Sequence, residues 1–91
     1  MSITKAHALT IVGKLKMKEL KGRSGHDIYA YFHQGREVVR FGVKRGSNRN
    51  AGHGWIPNQI HLSLRDALDL ASCTFQVEDW KARLREIGEI P

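Results

Sequence analysis

Two stretches of the sequence decide the fold: Gly25-His26-Asp27-Ile28-Tyr29-Ala30-Tyr31-Phe32 and Val38-Val39-Arg40-Phe41-Gly42-Val43-Lys44-Arg45. Both are rich in aromatic and β-branched residues, which favour strands. Alternation along the first stretch places Ile28, Ala30 and Phe32 on one face and the two tyrosines on the other. The intervening Gln34-Gly35 supplies a turn. The pattern therefore predicts a β-hairpin at the centre of an antiparallel sheet.

Before the hairpin, the spacing of apolar residues predicts one amphipathic helix, capped by Ser2 or Thr4. Its apolar face consists of Ala8, Ile11, Val12 and Leu15. Residues 16–24 are rich in lysine and contain Gly22, so we interpret them as a frayed helix end and a basic loop.

After the hairpin, residues 46–54 contain almost nothing that can be buried, which predicts an exposed and mobile loop. A short third strand is expected near Trp55-Ile56. Two helices follow, the first capped by Ser63 and the second ended by Gly88. Their apolar faces are Leu64, Ala67, Leu68 and Ala71, then Val77, Trp80, Leu84 and Ile87. The order predicts an α+β domain with two or three strands, an N-terminal helix and two C-terminal helices on one face of the sheet.

Composition indicates one soluble domain over residues 1–91, because a second core cannot be built from so short a chain. Lysine and arginine outnumber aspartate and glutamate by 15 to 9, a net charge of +6 that favours polyanionic partners. No stretch approaches the roughly 18 apolar residues of a membrane span and no secretory signal is evident, so we expect a cytoplasmic protein with no membrane partner. The single Cys73 excludes an internal disulfide and a cysteine-based zinc cage.

His26 is the strongest catalytic candidate, since it lies between a flexible Ser24-Gly25 and a strand that can hold its ring rigidly. A neutral imidazole can take the proton from a ribose 2′-hydroxyl while nearby cations stabilise the charge on the phosphoryl oxygens. Asp27 is not expected to orient the ring, because neighbours in a strand point to opposite faces. The alternative is that His26 only hydrogen-bonds a turn. The candidate cations are Lys21, Arg23, Lys44 and Arg45.

Two further groups of residues have the chemistry of nucleic-acid contacts. Tyr29 and Tyr31 share a face that is either a stacking platform for unpaired bases or a stripe packed under a helix. The basic segment 44–49, which includes Arg49, is suited to phosphate contact, or is only a solvated hairpin tip. It lacks the ending of a phosphate-binding P-loop.

No metal or small-molecule cofactor is expected. His53, Asn58 and His61 have the residue types of an HNH nuclease site, but eight residues containing a proline cannot provide its spacing. Nucleophile-elbow, Rossmann and Walker motifs do not occur in the sequence.

Residues 24–29, Ser-Gly-His-Asp-Ile-Tyr, resemble the strand-opening motif of the small HicA-like toxins of type II toxin–antitoxin systems. The tail, with Ile60-His61-Leu62-Ser63 and Asp79-Trp80, is similar to a longer relative of that family. The resemblance implies a double-stranded-RNA-binding-like fold, mRNA interferase activity with His26 as the catalytic histidine, and a protein antitoxin as partner.

Three functions therefore stay open. The first is a metal-independent endoribonuclease that uses His26 and a basic face. The second is a non-catalytic module that binds nucleic acid through the same face, with salt-sensitive affinity. The third is a protein-interaction domain of a mobile element whose basic loop meets an acidic partner.

Overall fold

Four helices and three strands follow one another in the computed structural model, which describes residues 3–23, 25–72 and 74–91. The predicted cap Ser2, Ser24 of the motif, Cys73 and the side chain of Arg23 lie outside the described residues. The elements are α1 (Lys5–Leu15), β1 (Lys18–Arg23), β2 (His26–His33), β3 (Arg36–Lys44), α2 (Ile56–Gln59), α3 (Leu64–Ala71) and α4 (Val77–Glu86). The α+β class predicted from the sequence is confirmed.

The sheet is antiparallel, with β2 between β1 and β3. Gln34 and Gly35 both have positive φ, 52° and 79°, the combination that a two-residue type I′ turn requires, so the predicted hairpin is confirmed. The position predicted for the third strand is wrong. It precedes the hairpin as β1, and residues 55–59 instead form a turn and the short helix α2. β1 is mostly polar because it is an edge strand joined to the sheet through its backbone.

The helices cover only one face of the sheet. The core cluster joins Tyr31, Val39, Phe41 and Val43 of that face to apolar residues of the helices. The buried Trp80 of α4 packs edge-on against the Tyr31 ring, with the ring centroids 4.8 Å apart. On the opposite face, residues such as Lys44 and Arg40 are exposed. We call this opposite side of the sheet the uncovered face.

Helix caps follow the sequence signals closely. Thr4 caps α1, and the Ser63 hydroxyl accepts a hydrogen bond from the Asp66 N–H at the start of α3. Gly88 has a φ of 81° after α4, which confirms the predicted stop. Ile87, predicted on the buried face of that helix, is instead its C-cap and 48% exposed, because the helix ends one residue earlier. None of the helices in the described ranges has the length and apolar composition of a membrane span.

Candidate nucleic-acid interface

His26 begins the central strand and its side chain is half-buried. Its partner across the sheet in β3 is Lys44. The Lys44 N–H and the Gly42 carbonyl both bond to groups beyond the outer edge of β3, so His26 and Lys44 form a pair without mutual backbone hydrogen bonds. In such pairs the Cα atoms approach to about 4.5 Å and the side chains lie close together. The fold therefore places an imidazole beside an ammonium group on the uncovered face.

Trp55 joins this pair from the turn before α2. Its Nε1–H donates to the Gly42 carbonyl at 2.9 Å, which fixes the indole against the edge of β3. The His26 ring meets the indole edge-on, with centroids 5.9 Å apart, and the Lys44 Nζ lies 5.6 Å from the indole centroid. Gly42 carries no side chain between them, and a Cβ there would touch the His26 ring at 3.5 Å. His26, Lys44 and Trp55 thus form one cluster, which we call the His26 site.

His53 fixes the loop that carries Trp55. Its side chain is fully buried, and both of its ring nitrogens are hydrogen-bonded. Nε2 lies 3.0 Å from the Lys44 backbone nitrogen and Nδ1 lies 2.8 Å from the Ala51 carbonyl oxygen. An N–H can only donate and a carbonyl can only accept, so the ring is neutral with its proton on Nδ1. His53 therefore acts as a structural connection between the loop and β3.

The loop is also bound to the beginning of α1, through contacts that the sequence does not predict. The Lys5 and Ala6 N–H groups donate to the carbonyls of Ala51 and Arg49, each at 3.0 Å. These are N–H groups that the first turn of a helix leaves without internal partners. The His53 N–H donates to the Ile3 carbonyl at 2.8 Å, and Thr4 forms a β-bridge with Gly52. Residues 46–50 are exposed, as predicted, yet the segment is held by regular hydrogen bonds.

Arg45 belongs to the other side of the sheet. Its Nε donates to the Asp27 carboxylate at 2.9 Å, and both side chains are partly exposed. The Asp27 carboxylate therefore faces Arg45, which agrees with the strand alternation that places Asp27 and His26 on opposite faces. Gly22 in β1 makes the local packing possible, because a Cβ there would collide with the His26 carbonyl and lie 2.5 Å from the Arg45 guanidinium.

The other predicted cations are spread more widely. Arg23 pairs with His26 in the β1–β2 register, although its side chain is not among the described ones. Lys21 is exposed on β1, and Arg49 is exposed in the loop after β3. Of the described cations predicted from the sequence, Lys44 is the one placed beside His26.

The tyrosine platform is not formed. Tyr31 is 8% exposed and belongs to the core, and Tyr29 packs against that core as a partly buried residue. Burial raises the pKa of the Tyr29 phenol, and the nearby Glu19 and Asp27 carboxylates raise it further. The prediction that these rings stack on bases is therefore wrong for Tyr31, and both rings lie on the face that the helices cover.

Sequence reasoning missed Trp55 and assigned no role to His53 in the site. No local pattern reveals these contacts, because 29 and 27 residues separate them from His26 and the loop path is set by its bonds to α1. Among the described residues, no group of three or more His, Cys, Asp or Glu side chains has a metal-binding arrangement. Comparisons with family models, with curated proteins and with solved structures gave no match for this chain.

Proposed function

We propose that this chain is a metal-independent endoribonuclease that binds RNA on the uncovered face and cleaves it at the His26 site. The observation that supports this most directly is the pairing of the half-buried His26 imidazole with the Lys44 side chain on that face. RNA cleavage by its own 2′-hydroxyl needs one group that accepts a proton and one positive charge near the phosphate. These two residue types supply both.

In the proposed step, the neutral His26 imidazole takes the proton of a ribose 2′-hydroxyl. The 2′-oxygen then forms a bond to the adjacent phosphorus while the bond from phosphorus to the 5′-oxygen breaks. The products are a 2′,3′-cyclic phosphate and a 5′-hydroxyl, whose proton comes from solvent or from the imidazolium. The Lys44 ammonium group stabilises the negative charge that develops on the phosphoryl oxygens.

The test compares the wild-type protein with His26→Ala, using a defined single-stranded RNA in excess EDTA. Loss of a positioned proton acceptor is expected to reduce cleavage about a hundredfold or more while RNA affinity and stability change little. His33→Ala is the matched control, since it removes another β2 histidine at the opposite end of the strand. Equal cleavage by wild type and His26→Ala would refute the proposal.

A non-catalytic RNA-binding function is the second candidate, and one contact favours it. The edge-on packing of His26 against Trp55 gives the imidazole a structural role that needs no chemistry. This reading expects intact RNA with both proteins, binding that weakens as salt rises, and lower affinity in Lys44→Ala. Cleavage by the wild type alone would exclude it.

We further propose that a protein antitoxin with an acidic inhibitory segment covers the His26 site. The support is the net charge of +6 and the exposed Lys44 beside His26. Charge complementarity of this kind mainly accelerates and orients association. An acidic protein that inhibits cleavage should therefore bind Lys44→Ala more slowly than wild type.

A further inference from the structure

A second feature of the uncovered face lies at the end of the sheet away from His26. Phe32 is 39% exposed, an unusual position for a large aromatic side chain. It lies six residues beyond His26 in the same strand, so alternation places it on the same face. At about 3.3 Å per residue the separation along β2 is about 20 Å.

Phe32 lies between two shallow surface hollows. The first, of about 420 Å³, is lined by Lys16, Lys18, Phe32 and Gly35. The second, of about 390 Å³, shares Lys16 and Phe32 and extends toward Lys81 of α4. Lysine side chains therefore line both hollows beside an exposed aromatic ring. Glu78 also lines the second hollow, and Glu37, the cross-strand partner of Phe32, is paired with Arg40. The combination of lysines and an exposed aromatic ring is typical of surfaces that bind single-stranded nucleic acid through base stacking and phosphate contacts.

Two of these lysines have no carboxylate partner among the described residues, so their charges can pair with phosphates. Lys16 and Lys18 are exposed, and within the described part of the chain neither forms a salt bridge. By contrast, Lys14 donates to the Leu70 carbonyl at 2.6 Å, and Lys81 lies 3.7 Å from the Glu78 carboxylate. The backbone of Lys16 is held in the left-handed conformation as the C-cap of α1, which fixes where its side chain begins.

We infer that Phe32, Lys16 and Lys18 form a distal nucleotide subsite, in which Phe32 stacks on an unpaired base and the lysines contact the adjacent phosphates. The inference rests on the proposed function in taking RNA as the ligand. It specifies the substrate class as single-stranded, because a paired base cannot offer its face to Phe32. A stacked strand advances about 3.4 Å per nucleotide, so about six nucleotides span the distance from His26 to Phe32.

The test measures binding of labelled 2′-O-methyl RNA by fluorescence anisotropy, because this probe cannot be cleaved. A strand of about eight nucleotides is compared with a dinucleotide. Phe32→Ala is expected to weaken binding of the longer strand at least about fivefold and to leave the dinucleotide unaffected. Leu64→Ala is the matched control, since Leu64 is 41% exposed but lies on α3, and it should bind both probes as the wild type does.

The charge component is tested with the double variant Lys16→Gln/Lys18→Gln. Loss of two phosphate contacts should make the dependence of log affinity on log salt shallower by about 1.4 for the longer strand. An unchanged salt dependence would show that Lys16 and Lys18 do not contact phosphates, which would refute their place in the subsite.

The inference and the proposed function fail in different ways. If His26→Ala still cleaves RNA but Phe32→Ala shows the length-dependent loss, the subsite stands and the proposed catalysis does not. If Phe32→Ala binds the longer strand like the wild type, or loses affinity equally for both probes, the subsite is refuted whatever His26 does. Equal affinity for an RNA duplex, or binding of polyglutamate in preference to RNA, would refute it as well.

Discussion

Replacing His53 with alanine tests whether the loop after β3 is held in place by this side chain. The imidazole is fully buried, and it accepts from the Lys44 N–H while donating to the Ala51 carbonyl. Both bonds disappear in His53→Ala, and a cavity the size of the ring is left. His53 joins Lys44 in β3 to the loop that carries Trp55, so the contacts of Trp55 with Lys44 and His26 should weaken at the same time.

The two lost hydrogen bonds differ in cost. β3 is an edge strand, and within the described ranges His53 is the acceptor for the Lys44 N–H, so this donor is orphaned at about 1–3 kcal/mol. The Ala51 carbonyl keeps the bond from the Lys5 N–H, so losing the second bond costs only about 1 kcal/mol. The two hydrogen bonds alone therefore account for about 2–4 kcal/mol of lost unfolding free energy, and the cavity left by the buried ring adds to this loss. At 0.05–0.15 kcal/mol per residue, a chain of 91 residues has about 5–14 kcal/mol in total.

Urea unfolding followed by far-UV circular dichroism measures the loss, and amide hydrogen exchange at Lys44 locates it. In His53→Gln the side-chain oxygen can take the place of Nε2, so protection of the Lys44 amide should largely return. In His53→Asn the shorter amide can replace only Nδ1, and the Lys44 amide should exchange as fast as in His53→Ala. Unfolding of His53→Ala within about 0.5 kcal/mol of wild type, with the Lys44 amide still protected, would refute the reasoning.

Three further predictions follow from the sheet and its edge. In urea unfolding, Gly22→Ala should lower the unfolding free energy by about 1–3 kcal/mol, because its Cβ collides with a β2 carbonyl. The Cβ of Gly13→Ala meets nothing within 4 Å, so this variant should raise the unfolding free energy by up to about 1 kcal/mol. The reverse order of stabilities would contradict this. Trp55→Phe keeps an aromatic ring but loses its bond to β3, so about 1 kcal/mol of stability should be lost, and no loss would show that the indole N–H is not needed. Burial and nearby carboxylates raise the pKa of Tyr29 above its ordinary 10.0. The stability that the protonated phenol contributes is therefore present below about pH 10 and falls as the pH rises further. In Tyr29→Phe, the decline of the unfolding free energy at alkaline pH should be flatter than in the wild type.

Part of the His26 site could be predicted because it depends on a local connection. One hairpin with a two-residue turn brings His26 close to Lys44, but a register shift between Tyr31 and Phe32 is what places Lys44, and not Val43, opposite His26. The hairpin therefore made the two residues neighbours, and the bulge decided that they face each other. The position of Arg45 in the sequence suggests that it joins them, but the next residue along a strand points to the opposite side, where Arg45 pairs with Asp27.

The sequence predicts a loop where β1 lies, because these residues do not resemble a strand. Its residues are mostly polar, and Gly22 suggested a break. The strand exists because β2 offers a row of backbone partners beside it, and Gly22 permits a close approach that other residues do not. Sequence patterns report side-chain burial, so they are weak for an edge strand that is held mainly by its backbone.

The sequence by itself determined the hairpin, the caps of α1 and α3 and the class of the fold, since all of these depend on periodicity and turn residues within short segments. The tertiary structure alone decided which face of the sheet the helices cover. Both faces of β2 carry apolar side chains, so the strand could not specify whether Tyr31 or Phe32 would be exposed. Packing of Trp80 on Tyr31 settled that choice and left Phe32 at the surface. It likewise brought Trp55 to His26, because contacts between distant segments form only when the whole chain has found its core.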